Sequence, residues 1–286
     1  MSSRFPELRC VVAALALAGA GAGAAPAGAA PAGNPLPNLR VCADPDNLPY
    51  SQRDESGFEN RIARLIADDL GMRLSYFWQE QRRGFVRKSM GAGECDVFIG
   101  VPAGFDKVLT TRPYYRSTYV AVTRSDAPAF SGFAPDALRG RRFGVQLIGN
   151  DMAASPPGYA LAKGGAVDNV TGFLVYGDGP TARRMTDALA SGAIDVALAW
   201  GPQAAYFAHG ARVPMKLAQL TPPAGLPVPF AYSIAIGVRK GDTALRDRLD
   251  ALLARRKADI DAILDAYFVP RVAMAAQDAT AQGGQP

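Results

Sequence analysis

Gly93-Glu94-Cys95-Asp96-Val97-Phe98-Ile99-Gly100-Val101-Pro102 is written again downstream as Gly192-Ala193-Ile194-Asp195-Val196-Ala197-Leu198-Ala199-Trp200-Gly201-Pro202. Each copy is a Gly-led turn, an Asp, a short apolar run and a Gly/Pro stop. Apolar runs bounded by turn residues read as strands buried on both faces, and such strands belong to parallel sheets covered by helices. Two copies predict two such sheets.

The segments before each copy repeat a βαβαβ grammar. In the first half, Leu39 to Ala43 reads as a strand and Asp44 to Tyr50 as a turn-rich loop. Ile62, Leu65, Ile66 and Leu70 then recur at helical spacing, and Gly71 ends that helix. Leu74 to Trp78 reads as an aromatic strand and Gly84 to Met90 as a short helix. In the second half, strands are expected at Phe143–Ile148 and Val170–Tyr176, with helices from Pro157 and over Thr181–Ser191. Ser117–Thr123 and Phe230–Val238 are β-rich crossings between the halves, and the helical stretch Asp242–Phe268 returns to the first.

The expected fold class is therefore α/β and two-lobed, each lobe an open, mostly parallel sheet with flanking helices, joined by a two-strand hinge. The expected boundaries are a signal peptide and linker over 1–32, lobe 1 over 39–118 plus 236–270, lobe 2 over 124–229, and a disordered tail over 271–286.

Composition agrees with a folded globular chain: of 286 residues, 49% are hydrophobic and 20% charged. A net charge of +5 with scattered basic residues gives no nucleic-acid footprint. Arg4 and Arg9, the apolar run Cys10–Ala20 and the small residues after it read as a secretory signal peptide, so the mature chain is expected in the periplasm. No later stretch reaches the roughly 20 apolar residues needed to cross a bilayer, so no membrane insertion is expected after cleavage. Cys42 and Cys95 then remain, both on expected strands of the same half. An oxidising compartment favours a disulfide, and a buried free Cys is the competing reading; Cα atoms within about 7 Å would decide it.

Ligands bind open α/β sheets beyond the carboxyl ends of the strands. Those ends nominate Asp44, Asn47, Tyr50, Val101, Phe105, Gln146, Asn150 and Trp200, with Tyr114 and Tyr115 near the hinge, as the lining of an interlobe cleft for a ligand or a partner segment. No catalytic residue, metal site or cofactor is expected. His209 is the sole histidine and reads as a surface or turn residue; the glycine fingerprint of dinucleotide sites follows no strand; and Asp44-Pro45-Asp46 lacks the Gly and Glu of a calcium loop. An enzyme would have to use Glu80 or Asp44 as a general acid, with no second partner in view.

The order of these elements, with Phe58-Glu59-Asn60 opening a helix, Cys95-Asp96-Val97, Pro113-Tyr114-Tyr115 and Gly144-Val145-Gln146, resembles the type II periplasmic solute-binding proteins. Val41-Cys42-Ala43-Asp44-Pro45, Gly57-Phe58-Glu59-Asn60, Val175-Tyr176-Gly177-Asp178 and Trp200-Gly201-Pro202 are similar to the MxaJ/XoxJ family, the binding-protein-like component of methanol dehydrogenase gene clusters. The resemblance implies a non-enzymatic accessory protein of a pyrroloquinoline quinone (PQQ)-dependent methanol dehydrogenase, with that enzyme or its cytochrome c as partner. A receptor delivering a small organic ligand to a transporter is the alternative. Amino-acid receptors of this fold grip the ligand carboxylate with an Arg after the third strand and its ammonium with an Asp after the last strand of lobe 2. Here no Arg precedes Arg112 in the first loop, and Trp200 stands at the second place.

Overall fold

The computed structural model describes residues 36–148, 153–175 and 179–274. The expected signal peptide and linker, and the candidate Asn150, lie outside the described residues.

The first half opens with β1 (Asn38–Ala43), the two-residue strands β2 (Asp46–Asn47) and β3 (Ser51–Gln52), α1 (Phe58–Asp69) and β4 (Arg73–Trp78). It continues through α2 (Phe85–Lys88), a 3-10 turn at Met90–Ala92, β5 (Val97–Pro102), β6 (Leu109–Thr110) and the long β7 (Tyr115–Arg124). The second half holds α3 (Pro135–Leu138), β8 (Phe143–Ile148), β9 (Ala153–Ala154), α4 (Pro156–Lys163), β10 (Val170–Leu174), α5 (Thr181–Ala190), β11 (Val196–Trp200), α6 (Gly201–His209) and β12 (Met215–Gln219). The chain returns along β13 (Ala231–Val238) and ends in α7 (Thr243–Arg255) and α8 (Lys257–Ala266).

The strand order is β10-β8-β11-β7-β13-β5-β1-β4. β4, β1 and β5 are parallel, as are β10, β8 and β11, and each trio is flanked by an antiparallel strand that crosses between the halves. Those two crossing strands, β7 and β13, pair with each other from Tyr115↔Ile234 to Thr118↔Ala231. This is the periplasmic-binding-protein type II architecture, a mixed sheet whose halves join at two strands.

The duplicated stretch earns its shape from a duplicated fork. Arg40 Nε and Nη2 donate to the two carboxylate oxygens of Asp96 at 3.0 and 2.6 Å, and Arg142 does the same to Asp195 at 3.1 and 2.7 Å. In both copies the Asp backbone N–H donates back to the arginine carbonyl, at 2.7 Å for Asp96 and 2.8 Å for Asp195. A planar guanidinium fits a carboxylate at both ends, so the pair fixes where the third strand enters each sheet.

One core of the first half packs Leu39, Phe58, Ile62, Ile66, Ile99 and Tyr115 against Leu249, Leu252, Ile260 and Leu264 of α7 and α8. Within α1, Phe58, Ile62 and Ile66 repeat every four residues and are fully buried, a gross contribution of roughly 5–9 kcal/mol. The helix starts where Asn60 Oδ1 reaches back to accept from Gly57 N at 3.1 Å. Gly57 itself is required there, because a Cβ would lie 2.1 Å from the Tyr50 carbonyl oxygen. Cys42 and Cys95 are joined by a disulfide with Cα atoms 5.4 Å apart, tying β1 to the turn before β5.

Two expectations change. Gly84–Met90 yields only four helical residues and a 3-10 turn, because the backbone breaks at Ser89 (φ −106°, ψ −88°) and Gly93 adopts φ 80°. The expected free tail does not begin at 271: Arg271 donates to Asp265 at 2.6 Å and Val272 N to the Arg116 carbonyl at 2.9 Å, so the backbone is held to the hinge strand there.

Candidate functional site

At the carboxyl ends of the two parallel trios lies a polar cavity of about 140 Å³, lined from one half by Asp44, Asn47 and Gln81 and from the other by Pro180, Thr181 and Gln203. A relay of side-chain amides crosses it. Gln146 donates to Gln203 Oε1 (3.1 Å), Gln203 donates to Asn47 Oδ1 (3.3 Å), and Asn47 donates to Gln81 Oε1 (3.4 Å). Gln146 is almost wholly buried on β8, and its Oε1 also accepts from Trp200 N at 3.2 Å.

Trp200, the last residue of β11, is half-buried and packs against the cores of both halves. Its ring lies edge-on to Tyr119 (5.2 Å between centroids) and Tyr232 (5.8 Å), one on each crossing strand. Burial pushes the Tyr50 phenol well above its usual pKa, and a hydrogen bond with the Trp200 side chain opposes that shift. Tyr50 and Trp200 thus meet across the cleft as a neutral aromatic clasp. The cavity of about 140 Å³ between the halves, which neither ring lines, falls below the roughly 300–1,000 Å³ of ordinary ligand pockets.

Asp44 lines the cavity, yet its carboxylate serves its own loops. Oδ1 accepts from Asp46 N at 2.9 Å and Oδ2 from Gln81 N at 2.6 Å, bracing the loop after β1 against the loop after β4. Burial raises its pKa and these backbone bonds oppose the rise. Glu80 lies at the rim, more than half exposed, paired with Arg82 at 2.5 Å. His209 ends α6 and stacks on Phe268 at 3.6 Å, and no group of three or more metal-ligating side chains occurs among the described residues.

Four expected cleft residues lie elsewhere. Val101 is buried in a separate cluster with Cys42, Phe85, Phe98 and Cys95, and Phe105 packs on it. The cause is a bulge: β13 pairs Ile236 with Ile99 but Ala235 with Val101, leaving Gly100 (φ 85°) as an extra residue. One inserted residue moves every following side chain to the other face, so Val101 turns away from the core that holds Ile99. Tyr115 is a core residue 6.4 Å from Phe58, and Tyr114 packs behind the hinge with Arg112 and Asp250. Tyrosines that begin a strand shared by both halves are claimed by packing before they can reach the cavity.

Gln203 is the bridging cavity residue that spacing alone did not single out; its signal is its place in the first turn of α6, directly after Trp200. Spacing does not single out Glu59 either. Its side chain lies against Gly100, where a Cβ would come 1.9 Å from Oε1, and burial pushes its carboxyl well above the ordinary range.

Residues 39–270 match the model for bacterial extracellular solute-binding proteins, family 3. The chain belongs to this family. Among curated relatives, Protein MoxJ of Paracoccus denitrificans is 34% identical over 252 residues, 82% of this chain and 88% of that one. Protein MoxJ of Methylorubrum extorquens is 32% identical over 249 residues, 81% of each chain. Among solved structures, the periplasmic binding protein XoxJ from Methylobacterium extorquens AM1 superposes with a TM-score of 0.69 at 35% identity, covering 82% of this chain and all of that one. As a family 3 solute-binding protein, this chain keeps the family's fold. No helix among the described residues is long and apolar enough to cross a membrane.

Proposed function

We propose that this solute-binding-family protein is a non-enzymatic periplasmic accessory of a PQQ-dependent methanol dehydrogenase, docking on the enzyme to assist its assembly, activation or electron transfer. The observation that carries this reading is the clasp of Trp200 and Tyr50 where a receptor would keep charged anchors, in a chain 34% identical to a MoxJ protein. A zwitterion entering here would exchange its hydration for a ring edge and amides already bonded to one another, losing charge-assisted bonds of about 1.5–3 kcal/mol each.

Chemical cross-linking of the full mature protein with the periplasmic methanol dehydrogenase of the same organism tests the proposal. A defined cross-linked pair, together with reduced dehydrogenase activity in a deletion strain, supports it. Unchanged dehydrogenase maturation and activity in that strain overturns it. The receptor reading rests on the family fold; it predicts a small organic solute that raises the melting temperature and occupies the interlobe cavity.

A further inference from the structure

A second recess among the described residues is not between the halves. A pocket of about 780 Å³ opens on the first half alone, with no lining residue from between the two crossing strands. Its floor is the apolar cluster of Phe85, Met90, Phe98, Val101 and Phe105, backed by the disulfide of Cys42 and Cys95. It is there because of the broken helix. One face of this sheet is covered by α1, α7 and α8, whereas the other receives only the four residues of α2 and a 3-10 turn. The Gly100 bulge widens the recess, because it presents no side chain and turns Val101 into the floor.

The walls are as one-sided in charge as the floor is apolar. Arg82, Arg87, Lys107, Arg239 and Lys240 line the pocket, and no Asp or Glu does. Arg82, Lys107 and Arg239 are held by Glu80, Asp106 and Asp96, whereas Arg87 and Lys240 have no carboxylate partner among the described residues. Fixed cations around a low-dielectric recess focus a positive potential into it. The volume falls within the roughly 300–1,000 Å³ range of small-molecule sites.

The geometry points to a binding site for an amphipathic organic anion, whose apolar body lies on Phe85, Phe98 and Phe105 and whose carboxylate reaches Arg87 and Lys240. This site adjoins the interlobe cavity, with which it shares Gln81 and Arg82, but its apolar floor lies wholly in the first half, and the assignment does not depend on how the protein meets a dehydrogenase. Carboxylates pair with guanidinium and ammonium groups through charge-assisted bonds, while the chain or ring gains from leaving water. The same chemistry is offered by a free fatty acid and by an anionic membrane surface, and the two are separable.

The test titrates the full mature protein with sodium dodecanoate below its micellar concentration, followed by calorimetry. Dodecyltrimethylammonium and butyrate serve as controls, and phosphatidylglycerol vesicles as a separate arm. Saturable one-to-one binding of dodecanoate is expected, at least tenfold tighter than the cationic analogue, with no binding of butyrate. Raising the salt should weaken it. Arg87→Glu with Lys240→Glu should reduce dodecanoate affinity at least tenfold without lowering that for the cation. Val86→Trp, which fills the recess, should abolish binding with the circular dichroism of the free protein unchanged; should it misfold, Phe105→Ala replaces it, with binding weakened several-fold. Equal affinity for anion and cation, binding unaffected by both the charge reversal and the pocket variant, or binding to vesicles without binding to monomeric dodecanoate overturns the assignment.

Discussion

Gln203 of α6 reaches Asn47 of β2 across 3.3 Å, a bond that bridges the two halves at their shared cavity. A neutral amide pair of this kind contributes about 0.5–1.5 kcal/mol. That is small against the stability of the whole chain and large against the balance between open and closed arrangements. Gln203→Ala is therefore expected to leave the denaturation midpoint nearly unchanged while raising the radius of gyration measured by small-angle scattering. An unchanged radius would remove the amide relay from the closing contacts.

Trp200→Ala should act differently, because its ring is shared between two cores as well as the cleft. Truncating a large aromatic in a packed site costs about 3–5 kcal/mol when it is fully buried, and a half-buried ring should cost roughly 2–3 kcal/mol. Urea denaturation reads this directly. A loss below about 1 kcal/mol would mean that Tyr119 and Tyr232 pack equally well without it.

Glu59 gives the stability a pH dependence of known sign. Its folded pKa lies well above the unfolded value, so the folded state holds the proton more tightly. The contribution is present at pH values below the unfolded carboxylate pKa and is lost as pH rises toward the folded one. Glu59→Gln keeps the shape and removes the ionisation, so its melting temperature should fall less than that of the wild type between pH 5 and pH 8. Parallel curves for the two proteins would contradict a buried, protonated Glu59.

The two forks supply an internal comparison. Asp195 serves one arginine and is 38% exposed, while Asp96, at 23%, also accepts from Arg239 at 2.8 Å. Asp195→Asn should cost about 1 kcal/mol or less, as exposed pairs do, and Asp96→Asn about 1 kcal/mol more. Because the Arg142 side chain holds the Asp195 carboxyl below its usual pKa, that fork's contribution is present above the unfolded carboxylate pKa and fades as acid protonates the folded form. Chemical denaturation at pH 7 and pH 3 checks both statements.

Reduction of the Cys42 and Cys95 bond, which closes a span of 53 residues, should cost about 4 kcal/mol by the chain-entropy account. The double Ala variant should show the same loss in oxidising buffer. Insensitivity to reductant would place the stabilisation elsewhere in the cluster.

The duplicated strands were legible because their signal is local: a Gly turn, an Asp and a buried run within ten residues. α1 and the two crossing strands were equally open to reading, since spacing and β-branching act over short windows. α6 was hidden because Gly201-Pro202 reads as a stop, although Pro in a first helical turn is as good a start. The fate of Val101 was written in Gly100, an isolated Gly in a strand, whose meaning as a bulge depends on a partner strand more than a hundred residues away. The large pocket could not be read at all: it exists because covering structure is missing from one face, and only the assembled sheet shows which face is bare.

The order in which the halves can be completed follows from the path of β13. The second half's core is drawn from one continuous stretch, Tyr119 to Phe230, whereas the first half's core needs Ile234 to Val269 as well. A chain emerging from its amino end thus presents its first half early and finishes it last, waiting for Arg239 to reach Asp96 and for α7 and α8 to cover α1. During that interval the segment carrying both cysteines lacks the strand and helices that complete its half, so topology alone places the bond of Cys42 and Cys95 in the part of the molecule that is finished last.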